Sequence, residues 1–585
     1  MRVGLGTIVL LAVCAVAVFP PAAALAADQP PDDPECPTRA ADGQSADPGT
    51  QPRIVELYPN PTIPGNDGEY FVLETPPNTS VDNWTVTDGH TTAALPNATV
   101  SGRTAVSMSP ERTRALTDAP VLELEGHLRL AADGDRIEVR ADGEPIDAVA
   151  YDRAPLAERW YRAGGDYPTG ASGDWWPRDA TCLPVSTGDA TTADAFVQPD
   201  SPEVPVETLR AADDRILLAG YTFTSEAVAE ELVAATDRGV EVSVLLEAGP
   251  VGGTPDATET RLDDLERAGV DVRVLGGEGA RYRYHHPKYA VADDTLLVMT
   301  ENWSPSGVGG ASSRGWGVRL EDPALAADLA AVFEADFEGW DTRSWSAHRT
   351  EATFVEDEPS TGAFPREHGP ESVSVDGVEL LLAPDNAESR LGELIEGADE
   401  RVLIKQPRIG DEVSLLEAAV DAAHRGVEVR ILLDSTWYVE DDNEALADDL
   451  ETAAANDDLP LEVALVDSGD RFEKIHAKGL VVDGETAVVG SANWNNNSLQ
   501  NNREVLLVLH GEEAAAYYAA VFEDDWSGET WLVPVELLGI VAVALLGVGY
   551  AGRKRIRFEL SSRAGSHSRA PRRDRPPPSS RPMRR

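Results

Sequence analysis

One stretch of this chain occurs twice. Asp237-Arg238-Gly239-Val240-Glu241-Val242-Ser243-Val244-Leu245-Leu246-Glu247 matches His424-Arg425-Gly426-Val427-Glu428-Val429-Arg430-Ile431-Leu432-Leu433-Asp434. In each copy an amphipathic helical pattern stops at glycine and a Val/Ile/Leu run follows at once, the mark of a helix feeding a buried strand. Upstream, Arg215-Ile216-Leu217-Leu218 corresponds to Arg401-Val402-Leu403-Ile404. Such a chain folds as a duplicated α/β domain, each half a sheet flanked by helices. The halves fall at 205–342 and 373–528, with a Pro/Glu-rich linker at 343–372.

A second pattern repeats with the scaffold. His286-Pro287-Lys288 with Asp293 and His476-Ala477-Lys478 with Asp483 both read H-x-K-x₄-D, and each is followed by an Asn-Trp pair, Asn302-Trp303 and Asn493-Trp494. The scaffold copies are offset by 187 residues and the motifs by 190. In extended chain, positions i and i+2 face the same side, so each His projects with its Lys. If the halves pack with pseudo-twofold symmetry, both pairs meet in one pocket. Two imidazoles there can divide phosphoryl transfer, one attacking phosphorus and the other protonating the leaving oxygen. Two ammonium groups can hold the phosphate charge, so no metal or cofactor is needed.

The duplicated motif resembles the HKD signature of the phospholipase D superfamily, over roughly residues 200–528. The resemblance implies a metal-independent phosphodiesterase or phosphatidyltransferase with a phosphohistidine intermediate. It implies catalytic roles for His286, Lys288, Asp293, His476, Lys478 and Asp483, with His286 the preferred nucleophile, His476 the general acid and the aspartates structural. Asn302, Thr300, Ser491, Asn493 and Glu504 are expected to bind the phosphate or orient the site. The second motif is complete: Gly490-Ser491-Ala492-Asn493, then Asn502-Arg503-Glu504, with Glu504 at the position of the family's histidine-orienting carboxylate. The first departs from it, with Met299-Thr300-Glu301-Asn302 and, at the Glu504 position, Gly317. On this reading the His286 side lacks an orienting carboxylate. His285 is expected to point away from the site.

Before the repeat, residues 52–182 show short alternating strands with turn signals, arguing an all-β, Ig-like sandwich. Ile54-Val55-Glu56-Leu57-Tyr58-Pro59-Asn60, Glu69-Tyr70-Phe71-Val72-Leu73-Glu74 and Trp84-Thr85-Val86-Thr87-Asp88 resemble the lamin-tail domain, which implies a non-catalytic docking module or spacer. Residues 27–51 and the Ser/Thr/Pro/Asp-rich 183–204 read as linkers. Residues 1–26 read as a secretory signal closing on Ala24-Leu25-Ala26. In an oxidising compartment Cys36 and Cys182 are candidates for a disulfide.

Residues 531–551 form an apolar run long enough to span ~30 Å of hydrocarbon. Arg553-Lys554-Arg555 follows, and the positive-inside rule puts the basic tail, 552–585, in the cytoplasm. Of 102 acidic and 49 basic residues, the segment 553–585 holds two and twelve; the remaining 100 and 37 give a net charge of −63. Such a surface relies on hydration and self-repulsion, and with so few lysines it looks halophilic. It also disfavours nonspecific nucleic-acid binding. The leading expectation is a cell-membrane, extracytoplasmic phosphodiesterase acting on phospholipid by hydrolysis or transfer, as in cardiolipin synthesis. The alternatives are a surface nuclease of the same superfamily and a catalytically idle surface-binding protein.

Overall fold

The computed structural model describes residues 51–162, 172–410 and 412–528. The expected signal segment, Cys36, the 531–551 span and the basic tail lie outside the described residues. Among the described residues no helix is long and apolar enough to cross a membrane. Cys182 is disulfide-bonded.

Period-2 burial builds the N-terminal region. Trp84–Thr87 alternates buried and half-buried residues, as a strand with one face on a core must. Six strands (Arg53–Tyr58, Tyr70–Ser80, Thr99–Ser107, Val121–Glu123, Glu158–Arg162 and Gly173–Pro177) form one sheet, and Trp84–Thr87, Thr92–Ala94, Asp135–Ala141 and Glu144–Tyr151 form a second. Residues from both, including Leu57, Phe71, Val86, Ile137 and Trp160, share one apolar core, so this region is a β-sandwich.

The repeat becomes two sheets of matching order. In the first half the strands run Asp271–Leu275, Glu241–Glu247, Arg215–Gly220, Tyr289–Ala292, Thr295–Met299, Ser313–Glu321 and Thr192–Gln198. In the second they run Leu461–Leu465, Glu428–Leu433, Arg401–Gln406, Gly479–Val482, Thr486–Gly490, Glu504–His510 and Gly377–Ala383. The first three of each set are parallel and the remainder antiparallel. Helices Glu226–Arg238 and Ser414–Arg425 feed the equivalent strands, and each ends at a glycine with positive φ, Gly239 at 96° and Gly426 at 97°. That left-handed cap is why Arg-Gly-Val recurs in both copies.

The linker expectations need correction. Within 183–204, Ser186–Gly188 pairs with a strand of the second half, and Thr192–Gln198 is an integral strand of the first. Within 343–372, Trp345–Arg349 is helical and Phe354–Val355 pairs with Thr254–Pro255.

The halves are locked together by a reciprocal pair of buried arginines. Arg314 of the first half meets Asp200 at 2.5 Å and, across the interface, Asp525 at 3.1 Å. Arg503 of the second half meets Asp336 of the first at 2.9 Å and Asp385 at 3.5 Å. All six side chains are buried. Each guanidinium satisfies carboxylates that would otherwise be unpaired in a low-dielectric interior, so the halves separate only at the cost of exposing uncompensated buried charge. The same two arginines position the site.

Candidate active site

Both motif histidines lie in extended segments just before a strand, and the opposite half holds the backbone of each. The His286 N–H donates to the Arg503 carbonyl at 3.0 Å, and the His476 N–H donates to the Arg314 carbonyl at 2.9 Å. The preceding residues are also held alike. The His285 N–H donates to Glu247 Oε2 at 2.7 Å, and the Ile475 N–H donates to Asp434 Oδ1 at 2.9 Å. Glu247 and Asp434 close the duplicated stretch from which the sequence reading began.

The carboxylates are crossed as well. His286 Nδ1 lies 2.9 Å from Glu504 Oε2, a residue of the second half. Glu504 is fully buried and also accepts from Ser498 Oγ at 2.6 Å and Asn502 Nδ2 at 3.0 Å. Burial pushes its carboxyl up, but the adjacent His286 and Lys288 outweigh that and hold it well below the usual range. His476 Nδ1 lies 3.3 Å from Glu301 Oε2, a buried residue of the first half. The side expected to lack a carboxylate therefore has one, and the substitute serves the other histidine.

Lysine is rare here. The chain has five lysines, and Lys288, Lys474 and Lys478 cluster around the two imidazoles. Lys288 Nζ donates to the His286 carbonyl, and Lys478 Nζ donates to that of His476 at 2.6 Å. Each ammonium keeps further N–H groups for a ligand. Burial pulls Lys288 well down and Lys478 down to about 7, while Glu301 and Glu504 pull them back. Burial also depresses both histidines: His286, to about 4, against the opposing pull of Glu504, and His476, well below the usual value, with Lys478 and Lys288 adding to the effect. Burial thus favours neutral imidazoles and outweighs the two nearby carboxylates at both lysines. A bound phosphate anion supplies a counter-ion and raises the lysines toward full charge.

Several residues have other duties. Asp293, expected among the catalytic set, accepts the backbone N–H groups of Asp213, Asp214 and Arg215 at 2.7–3.0 Å. Asp483 does the same for Asp399, Glu400 and Arg401 at 2.7–3.0 Å. Both anchor the start of the neighbouring strand and do not face the imidazoles. Thr300 Oγ1 accepts the Trp316 N–H at 3.0 Å and Ser491 Oγ accepts that of Val505 at 3.1 Å, so these hydroxyls close equivalent strand pairs in the two halves. Asn302 and Asn493 flank the site half-buried, and Asn302 Oδ1 is a buried acceptor without a hydrogen-bond partner. His285 is fully buried, 4.0 Å from Asp336 and off the site.

Tyr221 was not foreseen. Its ring packs edge-on to His286 at 4.7 Å between centroids, and Lys288 Nζ lies 5.3 Å from its centre. Its hydroxyl accepts the Val251 N–H at 2.6 Å. That bond ties the site to a loop where Val251 is 73% exposed, with Val355, 39% exposed, packed beside it near Gly253. The equivalent loop of the second half, beyond Asp434, carries Trp437 at 85% and Tyr438 at 51% exposure. Three of the six exposed large hydrophobic residues among the described residues thus lie on the two equivalent loops that follow Glu247 and Asp434, and a fourth, Val355, lies on the short strand beside the first loop.

Residues 206–337 and 391–526 match the family model described as cardiolipin synthase, PLD-like domain. The chain is 25% identical over 376 residues to probable cardiolipin synthase YwiE of Bacillus subtilis (strain 168), covering 60% of this chain and 67% of that protein. It is 30% identical over 164 residues to cardiolipin synthase A of Pseudomonas aeruginosa (strain LESB58), covering 27% of this chain and 31% of that one. It therefore spans about two thirds of the first relative and under a third of the second. Among solved structures, phosphatidylserine synthase of Haemophilus influenzae Rd KW20 is similar over 57% of this chain and 87% of that one, at 13% identity and a TM-score of 0.44.

Proposed function

We propose that this chain, which carries a PLD-like domain in each half, is a phospholipid-modifying phosphodiesterase or phosphatidyltransferase working through a covalent phosphohistidine. The observation that carries the reading is the crossed site. The backbone of each histidine is held by the opposite half, and each imidazole faces a carboxylate of that half, hydrogen-bonded for His286 and at 3.3 Å for His476, so the two histidines converge only when both halves are docked. An idle scaffold has no need of two such pairs facing one point, nor of three of its five lysines beside them.

In this mechanism His286 is the nucleophile. Glu504, ionised and held by Ser498 and Asn502, fixes the ring through Nδ1 and leaves Nε2 free to attack phosphorus. Lys288 and Lys478 hold the non-bridging oxygens as charge builds on them. The substrate's phosphate anion favours the charged form of His476, which enters the step as an imidazolium; the phosphorus–oxygen bond to the leaving group breaks as its Nε2 proton passes to the departing alkoxide. Neutral His476 then takes a proton from water or an alcohol. That oxygen attacks phosphorus, the phosphorus–nitrogen bond breaks, and His286 is regenerated.

Phospholipid is the favoured substrate because the loops that follow the two site-anchoring carboxylates, Glu247 and Asp434, expose Val251 and Trp437 with Tyr438, and Val355 is exposed beside the first. A rim of this kind suits a hydrocarbon–water interface, where an aromatic ring with a polar handle is stable. A single-pass anchor at 531–551, the lamin-tail-like reading of the sandwich and an extracytoplasmic, salt-adapted setting belong to the same proposal. They would hold the site at the outer leaflet. The test is phosphatidyl turnover by the full chain in molar salt, with phosphatidylglycerol and single-stranded DNA as competing substrates. Lipid turnover with release or transfer of the headgroup alcohol supports the proposal, and cleavage of DNA alone would replace it with a nuclease.

A further inference from the structure

The two halves pair so regularly that equivalent positions can be read from backbone bonds. The His286 N–H meets Arg503 and the His476 N–H meets Arg314, which makes Arg314 the counterpart of Arg503. The Thr300 N–H donates to the Trp316 carbonyl at 2.9 Å, and the Ser491 N–H donates to that of Val505 at 3.1 Å. Trp316 is therefore the counterpart of Val505. The residue between, Gly315, stands where the second half has Glu504; Gly317, suggested by the sequence, is two places too far. Glu301 in turn occupies the place of Ala492.

The first half thus has no carboxylate at this strand position and carries one at Glu301, just past the end of the neighbouring strand Thr295–Met299. The two share one volume: a Cβ built on Gly315 would sit 2.2 Å from Glu301 Oε1. A side chain at 315 would displace the Glu301 carboxylate from its present position. Glu301 Oε2 lies 3.3 Å from His476 Nδ1, within ion-pair reach but short of a hydrogen bond, and His476 Nδ1 is buried without a hydrogen-bond partner; Glu504 Oε2 is hydrogen-bonded to His286 Nδ1 at 2.9 Å. The support differs: Glu504 is held by two side-chain donors, whereas Glu301 Oε1 is buried with no hydrogen-bond partner.

We propose that Glu301 is the positioning residue for His476, a carboxylate moved by one strand to replace the one absent at Gly315. This rests on the two-histidine reading above. Glu301 accepts the Nδ1 proton, fixes the tautomer with Nε2 bare, and leaves His476 ready to take a proton from the incoming hydroxyl. Its grip is weaker than that of Glu504, and that asymmetry sets the division of labour. The stiffly held, ionised Glu504 makes His286 the stronger nucleophile. The looser Glu301 leaves the His476 imidazolium a better acid toward the leaving group.

The test reads tautomer and turnover together on the full chain in detergent, with ¹⁵N-histidine labelling. In the wild type, neutral His476 is expected as the Nδ1–H tautomer. Glu301→Ala should shift it toward Nε2–H and lower kcat on phosphatidylglycerol about 100-fold, the scale seen when a group that orients an active-site ligand or base is removed. The double variant Glu301→Ala/Gly315→Glu, which returns the carboxylate to the other strand, should restore the tautomer and at least about tenfold of the rate. Glu301→Ala/Gly315→Ala should restore neither. A His476 tautomer unchanged in Glu301→Ala overturns the proposal whether or not the protein turns lipid over. His286→Ala and His476→Ala address the two-histidine reading separately, since their turnover does not depend on the route by which His476 is oriented.

Discussion

Replacing Trp437 and Tyr438 by Ala separates lipid engagement from chemistry. At 85% and 51% exposure these rings touch little of the protein, so their removal should leave the fold intact. A tryptophan carries ~200 Å² of surface. At ~25 cal/mol per Å², immersing the exposed part is worth up to about 4 kcal/mol. A ring at an interface is half-immersed, which leaves about 2 kcal/mol, or roughly 30-fold in partition, with the tyrosine adding less. The assay is surface-dilution kinetics in mixed micelles of phosphatidylglycerol and a non-ionic detergent. The double variant should raise the interfacial KM about 30-fold and change kcat at saturating lipid less than about threefold. An interfacial KM within about twofold of wild type would refute the claim that these loops meet the lipid.

Other consequences follow from the same geometry. Asp293→Ala and Asp483→Ala each strip three backbone donors of a charged acceptor and should cost about 1–3 kcal/mol in urea denaturation. Their kcat below the transition should stay within about threefold of wild type, because neither aspartate faces the imidazoles. Asp336→Ala leaves buried Arg503 short of its cross-half partner and should cost about 3–5 kcal/mol, again by urea denaturation. For pH, Lys478 is depressed to about 7 in the empty site, so kcat/KM should fall as pH rises through that value. The limb on kcat should lie higher, since bound phosphate restores the charge, and Lys478→Arg should move both limbs beyond the measurable range. The sign for stability is opposite. Between about 7 and the ordinary lysine value the unfolded chain binds more protons than the folded one, so this group makes the free protein more stable as pH rises across that window. Calorimetry of wild type against Lys478→Arg checks it.

Periodicity and repetition made much of this visible beforehand. The Arg-Gly-Val stretches became helix caps and parallel strands, and the H-x-K pairs became a cross-half pocket. What stayed hidden depends on contacts between distant segments. The sequence reading puts Gly317 opposite Glu504; Arg314 lies fourteen positions after Thr300 but Arg503 only twelve after Ser491, so no fixed offset finds the counterpart, and the strand register puts Gly315 there. Each histidine takes its carboxylate from the other half, which no local motif encodes. This is why the carboxylate deficit was assigned to His286 when it concerns His476. The strand Thr192–Gln198 was read as linker because the Ser/Thr/Pro/Asp-rich residues before it dominate the composition. Its alternation, with Ala193 and Ala195 buried around half-buried Asp194, was the missed signal. Tyr221 lies far from both motifs in sequence and reaches His286 only through the fold.

The central claim is that both histidines, one from each half, act on a single phospholipid phosphorus. The most direct measurement is the transfer of radiolabelled phosphatidyl groups by the full chain in molar salt, with acid-labile, base-stable label on the protein followed in the same reaction. The account predicts labelling at His286 in the wild type, no labelling in His286→Ala, and turnover lowered about 1,000-fold or more in either His286→Ala or His476→Ala. Wild-type turnover surviving in either variant would contradict it, as would lipid turnover with no label carried on histidine.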